Sequence, residues 1–340
     1  MLEHGGRLLE AATRFGIPPQ QWLDLSTGLA PWPWPLPAIP ASAWMRLPEP
    51  DDGLESAACA YYGASAVLPV AGSQAAIQAL PRLRTACRVA IIGPCYAEHQ
   101  HAWQSQGHQV QSLTAEQLSA VLDEQPAAPV FDVVVLVNPD NPTGRVLDRA
   151  TLLDWHARLS ANGGWLVIDE AFADAQPACS LADCADRTGL IVLRSVGKFF
   201  GLAGIRLGFV LAEPALLSAL EALLGPWAVS GPARAVGRSI LADSSLQQAW
   251  RLRLQEDAVR LQELLIRCGL SPAGGCELFQ WVTAIDVAGV YQQMAERGIL
   301  LRWYRQPAGL RIGLPANQAQ WQRLEQAFSD VMRTMGSSRA

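Results

Sequence analysis

The apolar positions of this chain follow two rhythms. Runs that are apolar throughout, such as Val133-Val134-Val135-Leu136-Val137 and Leu166-Val167-Ile168, predict strands covered on both faces. Segments with helical spacing lie between them. The pattern predicts a helix over 53–62, a short apolar piece over 66–70, and a helix that Gly72-Ser73-Gln74 opens and that runs to residue 83. Strands follow at 88–92, 108–113, 130–138, 165–170, 190–194 and 207–211, with helices at 97–106, 115–124 and 149–162. This alternation predicts an α/β large domain, a mostly parallel sheet flanked by crossover helices.

The two ends of the chain read differently. Pro31-Trp32-Pro33-Trp34-Pro35-Leu36-Pro37 excludes a helix and disfavours a central strand. The first forty residues are therefore expected to be irregular, an extended arm with its tryptophans as contact points. Residues 214–268 form an amphipathic region whose clearest helix covers 250–266. Beyond it, 278–282 and 309–313 predict strands and 288–297 and 318–334 predict helices, a smaller α+β unit. The expected division is an arm at 1–45 that contributes to the small domain and the active site, a large domain at 46–225, and a linking helix with the small domain at 226–340. There is no internal repeat, and 336–340 is expected to fray.

Half of the 340 residues are hydrophobic and 17% are charged, enough apolar material for a sizeable core and two domains. A net charge of −5 gives no basic footprint, which argues against nucleic acid as a partner. An anionic ligand would have to be caught by local arginines and helix ends. The seven cysteines form no Cys-x-x-Cys pair and no zinc-spaced cluster with histidine, so no metal is expected. Free thiols, a start without signal-peptide character and the lack of a spanning apolar run predict a soluble, cytoplasmic protein with no membrane partner.

One count changes the picture. The chain holds 25 arginines and one lysine, Lys198. Arginine cannot replace lysine where a deprotonatable amine is needed, and an imine with a carbonyl compound is the chemistry that most needs one. Drift toward arginine with one survivor is the competing reading, and the neighbours decide between them.

Four motifs fall at or just after predicted strand ends, where open α/β sheets place ligands. Gly72-Ser73-Gln74 exposes backbone N–H groups at a helix start, which suits a phosphate and equally an ordinary helix cap. Asn138-Pro139-Asp140-Asn141-Pro142-Thr143-Gly144 is a rigid turn able to fix the Asn141 amide. Asp169 ends an apolar strand, where a carboxylate is costly to bury unless paired; a protonated pyridine nitrogen is such a partner. Ser195 and Arg206 bracket Lys198 and suit one phosphate, the arginine in a bidentate way.

Taken together in this order and spacing, Asn141, Asp169, Lys198 and Arg206 resemble the cofactor set of the fold-type I pyridoxal-phosphate enzymes, in the class I/II aminotransferase superfamily. The resemblance spans the chain from Gly72 to Arg311. It implies that Lys198 holds pyridoxal 5′-phosphate covalently, that Asp169 keeps the ring nitrogen protonated, and that these two carry the catalysis. It further implies that Asn141 bonds the ring 3′-oxygen, that Tyr96 stacks on the ring, and that Gly72, Ser73, Gln74, Ser195 and Arg206 hold the cofactor phosphate. Arg311, in Gly309-Leu310-Arg311-Ile312-Gly313, matches the arginine that takes the substrate α-carboxylate.

Within the superfamily the chain is similar to the branch of histidinol-phosphate aminotransferases and threonine-phosphate decarboxylases. His4-Gly5-Gly6, the Ser195–Gly208 region and Pro94-Cys95-Tyr96-Ala97-Glu98-His99 favour the decarboxylases. That likeness implies decarboxylation of L-threonine O-3-phosphate, with His4, Gly5, Gly6, Arg302, Arg305 and Arg311 as candidates for gripping the phosphate and carboxylate. The residues do not divide these roles among themselves. The alternatives are transamination of a phosphorylated amino acid such as histidinol phosphate and, from another class, a non-catalytic effector-binding module. A homodimer is expected from the superfamily. There are two departures from its pattern: Phe172 replaces a tyrosine that bonds the ring 3′-oxygen, and Leu47 replaces one that reaches the partner's phosphate.

Overall fold

A computed structural model describes residues 5–124, 130–283 and 286–337. His4 lies outside the described residues. The strands are, in chain order, β1 (Leu23–Asp24), β2 (Leu68–Val70), β3 (Arg88–Ile92), β4 (Gln109–Leu113), β5 (Val133–Val137), β6 (Trp165–Asp169) and β7 (Leu190–Ser195). They continue with β8 (Gly208–Leu211), β9 (Pro272–Cys276), β10 (Phe279–Val282), β11 (Ile299–Leu300), β12 (Arg302–Arg305) and β13 (Ala308–Gly313).

Contacts divide the chain into two compact units. The larger, 34–141 with 146–248, contains a seven-stranded sheet in the order β2-β8-β7-β6-β5-β3-β4. Only β8 runs against its neighbours, so the sheet is mostly parallel as the apolar runs imply. The centre of the sheet is sealed on both faces: every residue of β5 is buried, and Val89, Val135, Val167, Ile191 and Leu193 share one core with Trp103 and Leu220. Residues 34–45 and 226–248 belong to this unit.

The smaller unit, 1–33 with 142–145 and 249–340, holds a four-stranded antiparallel sheet in the order β12-β13-β10-β9. Its N-terminal part departs from the irregular arm expected from the prolines. Leu8–Phe15 is a helix, and β1 pairs in parallel with β11. The reason is local: Leu8, Ala11, Ala12 and Phe15 recur at helical spacing and pack on Trp22, Ala295 and Leu300. Gly16, at φ 67°, then closes the helix in the left-handed region. The proline run does hold its tryptophans as contacts, with Trp32 and Trp34 both buried. The amphipathic region resolves into three helices, Pro214–Leu224, Gly231–Ala242 and Ser244–Arg267. No helix among the described residues is long and apolar enough to cross a membrane.

Candidate active site

Register places the sequence-selected residues of the larger unit side by side. Val137, Asp169 and Leu193 are direct neighbours across β5, β6 and β7. These three parallel strands therefore end at one edge of the sheet, where Asp169 closes β6 and the segments after β5 and β7 carry Asn141 and Lys198. The loop after β3, which pairs with β5, carries Tyr96. Asn138 fixes the turn at the end of β5: its Nδ2 donates to the Leu147 carbonyl (3.2 Å) and its Oδ1 accepts the Leu147 N–H (2.9 Å). Asn141, half-buried, ends this unit's share of the motif.

Asp169 is buried and held from two directions. Its Oδ1 accepts the Ala171 N–H at 3.0 Å, and its Oδ2 lies 2.9 Å from Nε2 of buried His99. Next to it, burial and then the Asp169 charge push the Cys95 thiol well above its usual range. Tyr96 donates its hydroxyl to Gln74 Oε1 (3.4 Å), while Gln74 Nε2 donates to Glu98 (2.9 Å). The Tyr96 and His99 rings meet edge-on at 6.2 Å.

A cradle forms where glycines let backbone approach. Gly72 has φ 71°, and a Cβ there would lie 2.6 Å from Arg206 Nη2. A Cβ on Gly208 would lie 2.6 Å from the Ser73 nitrogen, and Gly208 is the direct partner of Ser195. The Ser73 amide, the Ser195 residue and the Arg206 guanidinium are thus brought together around two positions that tolerate no side chain. This donor set fits a phosphate ester. Arg206 itself sits in the left-handed region, φ 54°.

Lys198 lies on a single helical turn, Val196–Phe199, directly after β7. It is half-buried, and its Nζ is 5.8 Å from the Phe172 ring centroid. Beneath this edge runs a buried charge network: Arg194 pairs with Glu170 and Asp174, and Glu170 also accepts the Leu181 N–H at 2.8 Å.

In the smaller unit, Arg311 of β13 is the direct partner of Arg302 of β12. Like charges directly opposite on a sheet are unfavourable, so this pairing suits an anion that bridges them. Arg311 is buried, donates Nη2 to the Ser26 carbonyl (2.8 Å) and lies over the Phe279 ring. Burial, with the Arg302 charge adding to it, lowers the Arg311 pKa below arginine's ordinary value. Gly5, Gly6, Arg302 and Arg305 line one cavity of about 150 Å³.

The aminotransferase class I and II family profile matches residues 41–327. The chain belongs to the class I and II aminotransferase family. The threonine-phosphate decarboxylase of Pseudomonas aeruginosa is 58% identical over 328 residues, covering 96% of this chain and 97% of that protein. The threonine-phosphate decarboxylase of a Sinorhizobium species is 43% identical over 333 residues, covering 96% of this chain and 97% of that one. The solved histidinol-phosphate aminotransferase of Sinorhizobium meliloti, in complex with pyridoxal-5′-phosphate, has a TM-score of 0.81 at 18% identity, covering 98% and 99% of the two chains. That last likeness shows the shared fold.

For this member of the aminotransferase family, sequence reasoning missed three groups. His99 was visible inside the Pro94–His99 string without a role; its spacing of three from Tyr96 places both on one side of the Ala97–Ser105 helix start. Arg7 and Arg14, which also line the Gly5-Gly6 cavity, gave no signal beyond their charge. The Arg194–Glu170 pair was legible only as two charged residues at the ends of the predicted strands 190–194 and 165–170.

Proposed function

We propose that the protein is a pyridoxal 5′-phosphate-dependent decarboxylase that converts L-threonine O-3-phosphate to CO₂ and (R)-1-amino-2-propanol O-2-phosphate, made for the aminopropanol linker of cobalamin. The observation that carries this reading is the likeness to threonine-phosphate decarboxylases along almost the whole chain. The arrangement of the larger unit supports the cofactor assignment, because a phosphate cradle, a buried carboxylate and the chain's one lysine share one sheet edge.

Lys198 holds the cofactor through its Nζ. Arg206, Ser195, Gly72, Ser73 and Gln74 hold the cofactor phosphate. Tyr96 stacks on the ring, and Asn141 takes the 3′-oxygen without the help of a hydroxyl at Phe172. Asp169, already anchored by His99 and the Ala171 N–H, keeps the ring nitrogen protonated. When bound, the cofactor supplies an electron sink for the pair left at Cα as CO₂ departs. Lys198 Nζ, displaced from the cofactor by the substrate amine, would supply the proton that takes the place of the lost carboxylate on Cα. Arg311 takes the substrate carboxylate. Gly5, Gly6 and Arg305, with Arg302 between the two subsites, take the substrate phosphate; His4 remains a candidate from the sequence alone.

The protein acts as a homodimer in the cytoplasm. The exposed Trp44, Met45, Leu47 and Trp227 support a partner surface on the larger unit, where Gly231 abuts the Ala43 backbone. The test of the activity is product analysis with L-threonine O-3-phosphate and no keto acid. Equal amounts of CO₂ and phosphorylated amine are expected. Turnover only when histidinol phosphate is paired with 2-oxoglutarate would replace decarboxylation with transamination.

A further inference from the structure

The turn that carries Lys198 is four residues long, Val196–Phe199. So short a helix has no stability of its own, and the aim of its lysine depends on what holds its two ends. The leading end is tied to the sheet. Ser195 belongs to β7, and the Val196 N–H donates to the Leu207 carbonyl at 3.2 Å. The middle is pinned by close packing, since a Cβ on Gly197 would lie 2.9 Å from Ala203 Cα.

The trailing end is held by the proline-rich run. In Pro33-Trp34-Pro35 the prolines have no N–H to give, so Trp34 supplies the one donor of the three. Pro35 also keeps the residue before it out of the helical region. The Trp34 N–H donates to the Phe200 carbonyl at 3.0 Å. Its ring meets the Phe200 ring edge-on at 4.9 Å, and Phe200 in turn packs edge-on against Phe199 at 5.0 Å. Both Trp34 and Phe200 are buried. Phe200 and Gly201 close the turn by donating their N–H groups to the Lys198 carbonyl. The backbone of Phe200 therefore links Trp34 directly to the residue that bears the amine.

We propose that Trp34 is a positioning residue for Lys198, a clamp from the N-terminal segment that sets where Nζ meets the cofactor and the substrate Cα. The proposal rests on Lys198 being the cofactor's point of attachment. Trp32, two residues earlier, provides an internal contrast. It is also buried, but its indole N–H donates to the Ala316 carbonyl at 3.1 Å and its ring packs on Trp250 and Arg253. Losing Trp32 removes a comparable buried ring without touching the lysine turn.

The experiment compares the unaltered protein with Trp34→Ala, Trp34→Phe and Trp32→Ala, each loaded with pyridoxal 5′-phosphate. Three readouts are taken: the pH midpoint of the bound cofactor's absorbance, the fraction of Lys198 captured by borohydride as read by peptide mass, and kcat. Misplacing a reacting group by ~1 Å costs up to roughly a hundredfold in rate, so Trp34→Ala is expected to lower kcat tenfold or more. It should also shift the pH midpoint and slow the capture of Lys198. Trp34→Phe, which restores a ring against Phe200, should recover most of each; both variants keep the backbone N–H that bonds the Phe200 carbonyl. Trp32→Ala should lower the melting temperature and leave midpoint and capture unchanged. If Trp34→Ala folds and keeps all three values, or if Trp32→Ala moves them equally, the clamp is overturned. A lack of cofactor absorbance in the unaltered protein would instead overturn the assignment of Lys198.

Discussion

His99 Nε2 lies 2.9 Å from Asp169 Oδ2, with both side chains buried behind the edge of the sheet. The carboxylate is thus oriented by the protein before any ligand reaches it. Its other oxygen is fixed by the Ala171 N–H. Substituting His99 by phenylalanine removes the donor while keeping a ring in the same volume. A hydrogen bond to a charged group is worth about 1.5–3 kcal/mol, so its loss is expected as a roughly ten- to hundredfold fall in kcat with little change in KM. Asp169→Ala should retain some cofactor and lose most turnover. Steady-state kinetics of both variants check this; normal kcat in His99→Phe would reduce His99 to a packing residue.

Lys198→Ala and Lys198→Arg should both bind the cofactor without its covalent absorbance band and should be inactive. Arginine preserves the positive charge and the half-buried stem but offers no amine that deprotonates. Absorbance spectra of the two purified variants are the check. A band in either would place the cofactor's attachment elsewhere in a chain that has no second lysine.

The sheet was legible because its centre is sealed on both faces: β5 is apolar throughout, and β3 and β7 each hold four consecutive apolar residues. Tyr96, Asn141, Asp169, Ser195 and Lys198 were legible because each follows such a run within a few residues, whereas Arg206 was legible only by its spacing from Lys198. What escaped was information carried by pairs rather than runs. β9 is Pro-Ala-Gly-Gly-Cys, and two glycines hide a strand whose close approach they permit: a Cβ on Gly274 would meet the Thr143 carbonyl at 2.3 Å. β12 is Arg-Trp-Tyr-Arg, whose charged ends mask an edge strand. His99 belongs to Asp169, 70 residues away in sequence, and nothing local announces that bond.

Acid stability should report on Asp52. Burial alone would raise its carboxyl, but the Arg234 guanidinium and the Leu54 N–H outweigh it and hold the pKa below its ordinary value of 3.8. The folded state therefore binds fewer protons than the unfolded one. The stabilisation is present above the unfolded pKa and is lost as pH falls through the lower folded value. Asp52→Asn should cost about 1 kcal/mol at neutral pH, with Glu55 still pairing Arg234. Urea unfolding across the acid range should show the gap between variant and unaltered protein closing below pH 3.8. A gap that stays constant with pH would mean that packing, not charge, sets the effect.

The two arginine subsites should separate by substrate. Arg311 is buried and faces Arg302 across the strand pair, whereas Arg305 lies three residues further along β12, on the cavity shared with Gly5 and Gly6. If Arg311 takes the carboxylate, Arg311→Ala should weaken every amino acid alike, because each carries that group. If Arg305 takes the phosphate, Arg305→Ala should weaken L-threonine O-3-phosphate and leave the binding of unphosphorylated L-threonine unchanged. A charged hydrogen bond is worth about 1.5–3 kcal/mol, so each loss should appear as a roughly ten- to hundredfold rise in dissociation constant. Spectral titration of the cofactor-loaded variants with both ligands measures this. Equal weakening of the two ligands by Arg305→Ala would move the phosphate subsite away from the Gly5-Gly6 cavity.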